Sequence, residues 1–146
     1  MNILIMAAGA VGGYFGSVLS TSNEVTFVAR GEHLRKIQKY GLSIKSVTSG
    51  NSMCLSKAYR KPPPEYQADL IIFCVKEYQN DEASEIIANS ISDDTTILTL
   101  QNGLGSGEFL SQKFGSEKVV LGAAYVEASK GDPGEIVEHG GGCRIT

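Results

Sequence analysis

The sequence is poor in the residues that build disulfide frameworks and metal sites. It has three cysteines, Cys54, Cys74 and Cys143, with no C-x-x-C pair, and two histidines, His33 and His139. An odd, scattered set of cysteines argues against a disulfide scaffold and fits a reducing compartment, so a cytoplasmic location is expected. Neither histidine has a second ligand at metal spacing, and no metal is expected. Positive charge is scarce too: 13 Lys and Arg stand against 16 Asp and Glu, a net charge of −3. Such a balance leaves no basic field to hold a nucleic-acid backbone or an acidic membrane surface. No apolar run approaches the roughly 20 residues of a membrane span. The N-terminus carries no basic stretch, so its opening apolar run reads as a strand rather than a signal peptide.

What is present describes an ordinary globular chain. The 146 residues are 42% hydrophobic and 20% charged, and they fit one dinucleotide-binding domain over 1–146. A strand at Asn2–Met6 leads into a helix at Ala10–Leu19, with Gly12, Gly13 and Gly16 thinning one helix face. Three glycines in one helix call for a close neighbour, either a sheet or a cofactor. A second strand at Glu24–Val28 completes a βαβ unit of about 30 residues. A helix over 32–39 follows, closed by Gly41. Residues 42–56 read weakly, as a hairpin, and Pro62, Pro63 and Pro64 make a loop. The unbroken apolar run at 70–75 marks a central parallel strand. Then come a helix over 80–91, a strand over 96–100, a helix over 108–114, a strand over 119–126 and a short strand over 135–137. Gly140, Gly141 and Gly142 lead into a last strand-like stretch, Cys143 to Thr146. Strands alternating with helices predict an α/β fold, a Rossmann-type doubly wound and mostly parallel sheet.

Four places along this alternation can carry chemistry. The turn Ala7-Ala8-Gly9-Ala10-Val11-Gly12 joins the first strand to the first helix. It is a near-complete G-x-G-x-x-G turn with Ala7 at the first position, suited to a pyrophosphate on a helix N-terminus. Arg30 ends the second strand, where an acidic residue would meet a ribose 2′-hydroxyl; an Arg suits a 2′-phosphate instead. Its plain alternative is a solvated surface residue. Lys76 follows the central strand and Asn102 follows the next, both at the carboxyl edge where open α/β sheets gather ligands. Lys76 can meet a ribose hydroxyl, a phosphate or a substrate carboxylate. Asn102-Gly103 can also be a plain turn.

Together the blocks Ala8 to Gly16, Val25 to Gly31, Val75-Lys76, Leu100-Gln101-Asn102-Gly103-Leu104-Gly105 and His139 to Gly142 resemble the N-terminal domain of the ketopantoate reductase (2-dehydropantoate 2-reductase) family. The resemblance implies NADPH-dependent reduction of a 2-keto acid, 2-dehydropantoate, to pantoate on the way to pantothenate and coenzyme A. It implies that Ala7, Ala8, Gly9, Ala10, Val11 and Gly12 hold the pyrophosphate and Arg30 the 2′-phosphate. Lys76 and Asn102 would face the nicotinamide ribose and the substrate, and Ala128 would give a backbone contact to the cofactor. Ala7 departs from the usual glycine, and an added methyl there is expected to shift the turn or crowd the ribose. The family's mostly helical C-terminal domain is absent from this chain, so the proton donor is expected beyond Thr146. Hydride transfer to a carbonyl builds alkoxide charge that needs a positioned acid, and no catalytic residue is assigned here. A homodimer of a full-length form is a further expectation. Two other readings stay open: a related Rossmann dehydrogenase for another 2-keto or 2-hydroxy acid, and a non-catalytic nucleotide-binding module.

Overall fold

A computed structural model describes residues 1–103 and 105–146; Leu104 of the block quoted above lies outside the described residues. The expected βαβ start is there to the residue: β1 at Asn2–Met6, helix α1 at Ala10–Leu19 and β2 at Glu24–Val28. Helix α2 spans Gly31–Tyr40 and stops at Gly41, whose φ of 91° lies in the left-handed region that suits a helix-ending glycine. The weakly read stretch is a hairpin, β3 at Leu42–Ser46 against β4 at Ser52–Cys54. After it come β5 at Lys57–Tyr59, β6 at Leu70–Phe73, α3 at Asn80–Ile87, β7 at Thr96–Thr99 and α4 at Gly105–Phe114. The chain closes with β8 at Val119–Leu121, β9 at Ala124–Lys130 and β10 at Glu135–Ile145.

Six strands form one parallel sheet in the order β5-β2-β1-β6-β7-β8. Renumbered within the sheet this is 3-2-1-4-5-6, the doubly wound order of dinucleotide-binding folds. The central strands are apolar on both faces because both are covered. Ile3, Ile5, Phe27 and Ile72 pack toward α1, while Leu4, Met6, Ile71, Phe73 and Ile97 pack with Ile87 of α3 and Leu110 of α4.

A second sheet, β4-β3-β10-β9, packs on the outer side of α1. The helix glycines make this double contact feasible. A Cβ on Gly16 would lie 2.5 Å from the Phe27 ring, and one on Gly13 would lie 2.8 Å from Ile136 of β10. The close neighbours of α1 are thus two sheets.

Several element bounds change. The 119–126 stretch is two strands, because the chain leaves the parallel sheet at Gly122, packed too closely on Leu98 and Leu100 for a side chain. Ala123 then exchanges backbone hydrogen bonds with Thr146, at 2.8 and 2.9 Å. The short strand expected at 135–137 runs on to Ile145. Gly140 and Gly141, with φ of 130° and 88°, form an irregularity within the β9–β10 pairing instead of ending it. Helix α3 stops at Ile87 and passes into a 3-10 turn over Ala88–Ser90, and β6 and β7 end at Phe73 and Thr99.

Candidate functional site

The strand order reverses between β1 and β6, so the loops after these strands leave in opposite directions and open a crevice at the carboxyl edge. The loop after β1 forms its floor. Gly9 caps α1 with no side-chain hydrogen bond, and no acidic residue lies in the first helical turn. The first amide groups of α1 have no intrahelical partner and carry the positive end of the helix dipole. A Cβ placed on Gly9 would meet nothing within 4 Å, so this backbone faces open space. An anion can therefore approach the turn without displacing a protein group.

Ala8 is fixed from two sides. Its N–H donates to the Val28 carbonyl at 2.9 Å, and its carbonyl lies 2.6 Å from His33 Nε2. The other ring nitrogen of His33, Nδ1, accepts from the Gly134 N–H at 2.9 Å, so Nε2 carries the proton and donates to Ala8. Burial pushes the His33 imidazole below its ordinary value, with Lys130 adding to the effect, and the ring is neutral. His33 thereby ties the turn to the β9–β10 connection. The sequence marks His33 only as a candidate metal ligand. Among the described residues no group of three His, Cys, Asp or Glu is arranged to hold a metal.

Three hollows run along the crevice. The middle one, of about 450 Å³, is lined by all six residues from Ala7 to Gly12 together with Arg30, His33, Lys76 and Lys130. Lys76 and Asn102 meet in a neighbouring hollow of about 190 Å³, which shares Val11, Cys74, Val75 and Lys76 with the first. Arg30 opens on the other side into a small apolar-walled hollow of about 60 Å³, between Val28, Ala29 and Ile86. The structure thus brings the turn, Arg30, Lys76 and Asn102 to one continuous crevice. Ala128 lies within β9 opposite Glu138 and lines none of these hollows; Lys130, on the same strand, does.

The loops bearing Lys76 and Asn102 are held in place by Gln101. Its Nε2 donates to the Val75 carbonyl at 2.8 Å and to Asn80 Oδ1 at 2.7 Å, while its Oε1 accepts from Thr99 Oγ1 at 3.1 Å. The Lys76 N–H donates to Gln79 Oε1 at 3.3 Å. Lys76 is the one cation among the described residues lining the smaller hollow, beside Glu77. The arrangement can bind an extended anionic ligand, with cations at three points, Arg30, Lys76 and Lys130, and an amide side chain at the end. It presents no buried acid at the Asn102 end among the residues lining it.

Comparison with known proteins agrees with this geometry. The family profile described as "Ketopantoate reductase PanE/ApbA" matches residues 3–146. A 2-dehydropantoate 2-reductase of Pyrococcus horikoshii is 36% identical over 146 residues, covering 99% of this chain and 46% of that protein. The crystal structure of a 2-dehydropantoate 2-reductase from Geobacter metallireducens superposes with a TM-score of 0.90 at 34% identity, over 99% of this chain and 48% of the other. A D-mandelate dehydrogenase solved with NADH and anilino(oxo)acetate gives a TM-score of 0.89 at 28% identity, over 96% and 46%. The chain spans about half the length of the relatives it matches.

Proposed function

Since the chain belongs to the ketopantoate reductase (PanE/ApbA) family, we propose that it forms the NADPH-holding side of a reductase that converts 2-dehydropantoate to pantoate, a step toward pantothenate and coenzyme A. Residues 1–146 act as one dinucleotide-binding domain in this reading. The observation that carries it is Arg30 standing two residues beyond β2, on the same crevice as the turn that opens α1 without a side-chain cap. An NADH-selective site would place a carboxylate there to accept from the ribose hydroxyl. The guanidinium instead offers a fork to a phosphate.

The residues present fit the dinucleotide. Gly9 leaves room for a pyrophosphate against the first amides of α1, and Val28, Ala29 and Ile86 offer apolar walls at the Arg30 end. Bound NADPH supplies a hydride. Lys76 and Asn102 orient the 2-keto acid beside the nicotinamide ribose, Lys76 by charge and Asn102 by its amide, and Gln101 holds both loops at a fixed spacing. We further propose that Ala128 of β9, outside the three hollows, meets the cofactor through its backbone. The acid that protonates the developing alkoxide is assigned to no residue of Met1–Thr146. Among the described residues no helix is long and apolar enough to cross a membrane, and the three cysteines are free. A reducing, cytoplasmic setting and a homodimer of a full-length form complete the proposal.

A second reading, a related 2-hydroxy-acid dehydrogenase using NADH, is favoured by the likeness to the D-mandelate dehydrogenase. Calorimetric titration of NADPH and NADH separates the two. Selective NADPH binding, lost in Arg30→Ala by about tenfold or more, is the expected result. Equal binding of both nucleotides, unchanged in the variant, would contradict the 2′-phosphate role.

A further inference from the structure

Arg60 follows β5 directly, and Arg30 stands two residues beyond β2, the parallel neighbour of β5. Their backbones are tied where the strands end: the Ala29 N–H donates to the Tyr59 carbonyl at 3.1 Å. Both guanidinium groups face one carboxylate. Arg60 Nη2 lies 2.9 Å from Glu82 Oε1, and Arg30 Nη1 lies 3.8 Å from Glu82 Oε2. The three side chains line the small hollow beside the turn, and each is about half exposed, at 61%, 54% and 50% for Arg30, Arg60 and Glu82. The Arg60 bond, with Arg30 behind it, holds the Glu82 carboxyl below its usual range.

Exposed ion pairs of this kind add little to stability, so the fold does not require the cluster. Two planar forks converging on one exposed anion are, however, the arrangement that suits a phosphate dianion. With Glu82 in place the cluster carries one surplus positive charge; without it, the two guanidinium groups would match a dianion in charge. Resting on the NADPH reading, we infer that Arg60 is a second cofactor-selecting cation that acts with Arg30 on the 2′-phosphate. Glu82 is the internal anion that gathers both guanidinium groups and is displaced when the phosphate arrives. Because α3 carries Glu82, its first turn yields to the nucleotide at this point.

A merely structural role, Arg60 tethering the end of β5 to α3, makes a different prediction for Glu82. As a displaced competitor, its neutralisation strengthens NADPH binding; as a tether, its neutralisation weakens binding or leaves it alone. The test is calorimetric titration of NADPH and NADH into the 146-residue protein and its Arg30→Ala, Arg60→Ala, Arg60→Lys and Glu82→Gln variants. Arg60→Ala is expected to weaken NADPH about tenfold and leave NADH unchanged. Arg60→Lys keeps the charge without the fork and falls between the two. Glu82→Gln tightens NADPH about threefold and leaves NADH unchanged. Arg60→Ala changing both nucleotides equally or neither, or Glu82→Gln weakening NADPH or leaving it unchanged, overturns the inference. A wild-type protein that does not distinguish the nucleotides overturns the NADPH reading and this inference with it. Arg30-dependent selectivity that ignores Arg60→Ala overturns this inference alone.

Discussion

Ala8 and His33 illustrate how single residues hold the crevice in shape. The amide of Ala8 is bonded to β2, and its carbonyl is bonded to a ring that also receives the Gly134 N–H. Removing the ring in His33→Ala leaves two buried backbone groups without partners, at a cost of about 1–3 kcal/mol. Urea unfolding checks that loss. His33 acts through the turn, so NADPH and NADH affinities should fall by the same factor in this variant. The imidazole also makes stability depend on pH. Its folded value lies below the ordinary one near 6.5, so between the two the unfolded chain binds the extra proton. Stability should therefore fall as pH drops below about 6.5 and stop responding to His33 once pH is below its folded value. Denaturation at stepped pH, compared with His33→Ala, isolates that slope.

Helix α1 separates the glycine that serves the ligand from those that serve packing. Gly9→Ala points its methyl into open space, so it should cost less than about 1 kcal/mol of stability while weakening both nucleotides. Gly13→Val drives a side chain into Ile136 and Leu42 and should cost about 1–3 kcal/mol. Comparing urea midpoints with nucleotide titrations for the two variants tests the division. Reading the helix from sequence alone predicts a close neighbour without telling sheet from cofactor. The same limit recurs elsewhere. Elements with a long apolar run or clear helical spacing, such as β1, α1 and β2, could be read directly, and Lys76 and Asn102 could be placed because each follows a recognisable strand. Arg60 could not, because β5 is a three-residue edge strand with no periodicity of its own. The partners of His33 lie 25 and 101 residues away, and no local pattern marks them. The glycines of β10 read as a break, since only the pairing with β9 turns positive φ values into an irregularity within a strand.

At the scale of the whole molecule, one helix is shared by a nucleotide-binding sheet and a smaller second sheet. Glu138 fastens the second sheet. It is fully buried in β10 and accepts from Ser46 Oγ at 2.5 Å, from Thr48 Oγ1 at 2.7 Å and from the Thr48 N–H at 3.2 Å. The Ser46 bond first, then those from Thr48, pull its carboxyl from an ordinary 4.5 down to about 2. A depressed carboxylate stabilises the fold above its unfolded value and loses that contribution as pH falls through the folded one. Acid should therefore weaken the protein in two stages, below pH 6.5 through His33 and between about 4.5 and 2 through Glu138. Glu138→Gln should flatten the second stage only, a difference read from acid unfolding curves.

The central claim is that a dinucleotide lies along the carboxyl edge of the parallel sheet, over the turn from Ala7 to Gly12. Amide NMR of the 15.6 kDa protein titrated with NADPH tests it most directly. Saturable shifts concentrated at Gly9, Ala10, Val11 and Gly12, with Arg30, Lys76 and Asn102, are the predicted result. Shifts gathered instead in the polar groove at the amino edge, around Asn23, Lys57 and Tyr66, or no saturable shift at all, would contradict it.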